Sequence, residues 1–174
     1  MRVKRIFLTG GFLMVAACVP RSAPPPPPPP QRPALPLPPP PPAARDWRDF
    51  PLTPGNWYYR AEGSETLAMF GAANSEAQLI LRCDRARRQV FLWREGVPTN
   101  PVMIVRTSFT ARSLPATIQR EPLPYAIASV AANDPILDSM IFSRGRFTIE
   151  AQGLPMLVVP SWPEPARVVE DCRG

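Results

Sequence analysis

Apolar positions fall into three regimes along the chain. Over residues 6–17 they run almost unbroken, interrupted only by Thr9, Gly10 and Gly11. Over residues 20–42 proline displaces nearly everything else. From Trp57 onward they come in short bursts divided by turn residues. Bursts rich in β-branched and aromatic residues predict strands over 57–59, 66–70, 78–83, 89–93, 101–107, 146–150 and 156–159. The clearest alternation is Arg146-Phe-Thr-Ile-Glu150. Glu95-Gly-Val-Pro-Thr-Asn100 reads as a hairpin connection between its two neighbouring strands, and Gln152-Gly153 as a turn. Two segments carry a helical period instead. Asp134-Pro135 reads as a cap followed by proline at the first helical position, with apolar residues at 136, 137, 140 and 141. The closing stretch 162–172 puts Val168, Val169 and Cys172 on one face. The fold class expected is mainly β: a small antiparallel sandwich or barrel with one or two short helices packed on or closing the end of the core.

The first regime has a different meaning. A basic start (Arg2, Lys4, Arg5), an apolar run of 12 residues and small residues before Cys18 form the pattern of a secretory signal peptide. A membrane-spanning helix needs ~20 apolar residues. Val15-Ala16-Ala17-Cys18 resembles the lipobox of bacterial lipoproteins. That resemblance implies lipid attachment to the Cys18 sulfur, cleavage before it, and a second acylation of the new amino terminus. One acyl chain holds a protein marginally and two hold it stably. Val19 stands where an aspartate favours inner-membrane retention in enterobacterial lipoproteins, so the outer membrane, facing the periplasm or the surface, is the expected location.

Of the chain's 27 prolines, 15 lie between Pro20 and Pro42, with seven in a row at 24–30 and five at 38–42. Such a tract favours extended polyproline II at ~3.1 Å per residue, a reach of roughly 70 Å. The domain reading is therefore a lipoprotein signal peptide at 1–17, a lipidated cysteine and disordered proline-rich linker at 18–45, and a β-rich globular domain at 46–174.

Charge alters the picture only once it is divided by region. The net charge is +6, but residues 46–174 hold 14 arginines, no lysine and 14 carboxylates, so the surplus belongs to the leader and arm. A nucleic-acid partner is not expected. With no histidine in the chain, Ser-His-Asp and Cys-His catalysis and His-ligated metals are excluded. No D-x-D-x-D-G calcium loop or G-x-S-x-G elbow is present, and no cofactor is expected.

Once Cys18 is set aside, Cys83 and Cys172 form an even pair and read as one disulfide in an oxidising compartment. Arg82, Arg85, Arg87 and Arg88 gather around a turn containing Asp84, while Arg144 and Arg146 flank Gly145. Guanidinium groups grip phosphate or carboxylate bidentately, so Arg88, Arg144 and Arg146 are candidate anion-binding residues; the alternative is a solvated hairpin face. Asp134 and Asp138 share a helix face as a carboxylate pair would, yet Asp134 fits better as a cap and Asp138 as a solvated residue. Trp47, Trp57, Trp93 and Trp162 read as core or rim aromatics, or as a carbohydrate platform.

The Leu-Arg-Cys83 strand end, the Ser143-Arg-Gly-Arg-Phe147 strand start and the closing Val-Glu-Asp-Cys-Arg173 resemble uncharacterised envelope lipoproteins of alphaproteobacteria. More distantly, the layout is similar to the invasion-associated locus B family of small secreted β-sandwich proteins. The resemblance implies a β-sandwich without known enzymatic chemistry. Together with the lipobox and the absence of histidine and of lysine from residues 46–174, the expected function is that of a non-enzymatic, membrane-anchored envelope protein with a binding or accessory role, held to the membrane by its lipid and meeting an envelope protein or glycan. The alternatives are a carboxylate-dependent enzyme acting on envelope glycan and a docking or inhibitor subunit of an envelope complex.

Overall fold

A computed structural model describes residues 46–174, with Pro24 alone before them; the leader, Cys18 and the arm lie outside the described residues. Strands β1 (Asn56–Glu62), β2 (Glu65–Gly71), β3 (Leu79–Asp84) and β4 (Gln89–Glu95) form an antiparallel meander. In β2, β3 and β4 buried and half-buried positions alternate, because successive side chains point to opposite faces. Ala68, Phe70, Leu79, Leu81, Val90 and Leu92 thereby line one inner face.

The next connection is not a hairpin, contrary to the reading of residues 95–100. Strand β5 (Val102–Arg106) pairs with β6 (Ala111–Gln119) and β8 (Arg146–Ala151), while β4 pairs with β7 (Tyr125–Ala131). The connection instead runs along the turn after β8, where Thr99 N donates to Gln152 O at 2.8 Å. Gly96 sits there at φ +102, which favours glycine, and a Cβ on it would stand 2.8 Å from Leu154 Cδ2, so that side chain would have to move.

The hydrophobic pattern does not reveal strands β6 and β7. The first half of β6, to Pro115, pairs with β5, and the second half, from Ala116, pairs with β7. One strand thus joins two sheet segments, the device by which a sheet turns a corner. Strand β9 (Leu157–Pro160) completes a nine-stranded antiparallel sheet in the order β1-β2-β3-β4-β7-β6-β5-β8-β9.

The sheet rolls until its two edges meet. Thr53 N donates to Val158 O at 2.8 Å, Val158 N donates to Thr53 Oγ1 at 2.9 Å, and Trp57 Nε1 donates to Pro160 O at 2.9 Å. The fold is mainly β, as the alternation predicts. Helix α1 (Pro135–Ile141) buries Ile136, Leu137 and Met140, and helix α2 (Pro163–Arg173) buries Val168, Val169 and Cys172. Helix α2 packs across β1 to β4 and meets α1, so both helices close the core. Cys172 bonds Cys83, with Cα atoms 5.5 Å apart, and pins α2 to β3.

Candidate functional site

The segment Ser143-Arg144-Gly145-Arg146 leads from α1 into β8 and is fastened by Ser143 together with Ser108. Ser108, just after β5, donates its backbone N–H to Ser143 Oγ at 3.0 Å. Arg144 N donates to Ser108 Oγ at 2.8 Å, and the Ser143 hydroxyl donates to Arg146 O. Ser143 is 4% exposed and engaged on every side, so its hydroxyl fixes the loop and is not free to react. Gly145 turns the chain at φ +78, and nothing lies within 4 Å of where its Cβ would stand, which leaves the space above the loop open.

Arg146 reaches back across the chain. Its Nη1 donates to Phe50 O at 2.8 Å and Arg48 O at 3.3 Å, anchoring the 3-10 turn at Trp47–Asp49. That contact closes a cavity of about 370 Å³ lined by Trp47, Arg48, Ser108, Arg144 and Arg146. Three of the five lining residues are arginines and none is acidic. Arg48 sits over the Trp47 ring at 5.1 Å and pairs with Asp46 at 2.8 Å, both largely in solvent. Among the described residues neither Arg144 nor Arg146 has a carboxylate partner. A second cavity of about 640 Å³ shares Trp47, Arg48 and Ser108; in it Arg106 Nε donates to Glu150 Oε1 at 2.8 Å.

The structure brings together Arg144 and Arg146 and adds Arg48, which the sequence does not single out. Arg88 is not part of this pocket. It occupies the β3–β4 turn at φ +52 and donates from Nη2 to Arg173 O at 2.6 Å, satisfying a carbonyl at the C-terminus of α2. Two of its neighbours are engaged locally too. Arg82 grips both carboxylate oxygens of Glu65 and lies 5.7 Å from the Trp93 ring centroid, and Arg87 pairs with Asp84 at 3.5 Å.

The carboxylates on α1 are likewise held. Asp134 accepts from Ile136 N at 2.9 Å as the cap and from Arg112 at 2.6 and 2.8 Å. The Arg112 hydrogen bonds hold its pKa below the usual carboxylate value. Asp138, read as solvated, is half-exposed and pairs with Arg173 at 2.8 Å. Among the described residues no group of Cys, Asp and Glu is arranged to hold a metal ion, and no helix is long and apolar enough to cross a membrane.

One buried charge escapes the sequence reading. Arg94, in an inward position of β4, is 5% exposed and has no carboxylate partner among the described residues. Its guanidinium donates to Glu95 O and, at 3.0 Å, to Pro155 O, and burial lowers its pKa. It plugs the core beside the turn after β8.

The tryptophans divide: Trp57 packs tilted against Phe70 in the core with ring centroids 5.3 Å apart, Trp47 lines the arginine pocket, and Trp162 is exposed. Trp93 belongs to a row across the outer face of the sheet, Tyr58–Met69–Ile80–Trp93–Ile127, set by the strand registers and half-buried or exposed throughout. No family model, curated protein or solved structure matches the chain.

Proposed function

We propose that this chain is a lipid-anchored protein of the bacterial cell envelope. It is cleaved before Cys18, held at the outer membrane by acyl chains, and presents residues 46–174 on a proline arm as a non-enzymatic binding or accessory domain. The observation that carries the reading is the order of its parts: basic start, apolar run, Val15-Ala16-Ala17-Cys18, proline tract, folded domain. The Cys83–Cys172 disulfide supports an exported domain, since such bonds persist in oxidising compartments. The non-enzymatic part is supported by the engagement of Asp134, Asp138 and Glu150 with arginines and by the locked Ser143 hydroxyl. Fractionation of cells expressing wild type beside Cys18→Ser tests it. Wild type sediments with outer membranes and the variant does not; equal distribution of both would overturn the proposal.

The outer row of Tyr58, Met69, Ile80, Trp93 and Ile127 favours a second reading, docking on an envelope protein. Apolar side chains in register across a sheet face, half-buried or exposed among the described residues, suit a partner, and Trp93 Nε1 is buried there without an acceptor. A photo-crosslinking residue at Tyr58 would capture that partner in intact cells. Capture equal to that from a crosslinker at exposed Glu121 would remove this reading.

A further inference from the structure

We propose that the pocket between the 3-10 turn and the start of β8 takes the phosphate of an anionic lipid headgroup, docking this end of the domain on a bilayer surface. The inference goes beyond the anchor: it concerns the folded domain and needs no lipidated cysteine.

Charge is the first argument. Arg48, Arg144 and Arg146 line one 370 Å³ cavity with the Ser108 hydroxyl, and no carboxylate lines it. Asp46 offsets Arg48 from outside, which leaves Arg144 and Arg146 uncompensated. Two guanidiniums suit the oxygens of a phosphate, which arginine binds in its fixed fork. Arg146 is already oriented by the Phe50 and Arg48 carbonyls, so little side-chain freedom remains to be lost on binding.

The surroundings argue for a lipid over a free anion. Phe109 follows Ser108 and Phe142 precedes Ser143, the two serines bonded to each other beneath the pocket. These two rings are 59% and 68% exposed, more than the other large apolar side chains of the described residues. Trp162 is 41% exposed and follows Ser161, whose N–H donates to Gly145 O at 3.2 Å. Cations with protruding aromatics on the neighbouring chain segments match the boundary of a bilayer, where phosphate lies above acyl chain.

The test uses non-lipidated residues 19–174, which keep the arm and every core residue, in co-sedimentation with vesicles. The protein binds vesicles of phosphatidylcholine containing phosphatidylglycerol, not phosphatidylcholine alone, and releases as salt rises. Arg144→Gln, an exposed change, weakens binding about five-fold, the scale of one basic side chain at an anionic surface. The Phe109→Ser, Phe142→Ser double variant weakens it at unchanged charge, while Arg120→Gln, on an exposed residue elsewhere, leaves it unaltered. Equal losses from Arg144→Gln and Arg120→Gln would overturn the proposal. So would binding of inorganic phosphate in the pocket without binding to vesicles, which would mark a free-anion site. Failure of vesicle binding beside normal acylation of Cys18 in cells would remove this inference and leave the anchor standing.

Discussion

Arg112, on β6, closes on Asp134 with both terminal nitrogens, at 2.6 and 2.8 Å, while the same carboxylate caps α1 through Ile136 N. One side chain thus joins a strand to a helix start. The Arg112 hydrogen bonds hold the Asp134 pKa below its ordinary value of 3.8. A carboxylate lowered in the folded state contributes stability that is fully present above its unfolded pKa and disappears as pH falls through the folded one. Asp134→Asn keeps an oxygen for the cap and loses the ion pair. The gap between the denaturation midpoints of wild type and Asp134→Asn should be constant at neutral pH and shrink below about pH 4. A gap that does not change with pH would show that the pair adds nothing.

Cys83 and Cys172 are linked across a sequence separation of 89 residues. Restricting the unfolded chain over that span is worth about 4 to 5 kcal/mol on the chain-entropy account. Urea unfolding with and without reductant should differ by that order, and the Cys83→Ser, Cys172→Ser variant should match the reduced protein and ignore reductant. A wild-type midpoint indifferent to reductant would contradict the bridge.

Arg94 is a charge inside the core whose work is to satisfy the Glu95 and Pro155 carbonyls. Arg94→Met keeps most of the volume and withdraws the donors, so it should cost about 1 to 3 kcal/mol through unpaired carbonyls. Equilibrium unfolding measures it. A stabilised Met variant would mean that desolvating the guanidinium outweighs its hydrogen bonds.

Gly96→Ala would force a Cβ to 2.8 Å from Leu154 Cδ2 at a φ of +102. The expected loss is about 1 to 3 kcal/mol. Adding Leu154→Ala should recover part of it by opening the space, and a double variant worse by the full sum of the two single losses would show the contact to be unimportant.

The parts of this fold visible in the sequence are those where local pattern and final environment agree. In β2, β3 and β4 the apolar alternation matches the buried alternation, and Asp134-Pro135 caps and starts α1 as those residue types favour. Strand β6 hides behind Pro115, which falls where the strand changes partners, and β7 behind its alanines at 126, 128 and 131. Alanine and proline are poor strand residues on local grounds, and pairing with β4 and β5 overrides that preference. The connection at 95–100 resembles a hairpin because adjacency in sequence is the only guide to pairing there. The pocket is half legible: Arg144 and Arg146 stand out around Gly145, whereas Arg48 joins them from 98 residues before Arg146, through contacts no spacing rule encodes. Arg88 stands out in a run of arginines, yet Arg82 and Arg87 pair with nearby carboxylates and Arg88 itself is spent on the end of α2.

The central claim is the lipid on Cys18, and intact mass of the protein purified from membranes tests it most directly. The account predicts a chain beginning at residue 18, heavier than its amino acids by a diacylglycerol and a further acyl chain, with the added mass lost in Cys18→Ser. A soluble wild-type protein of unmodified mass would contradict it.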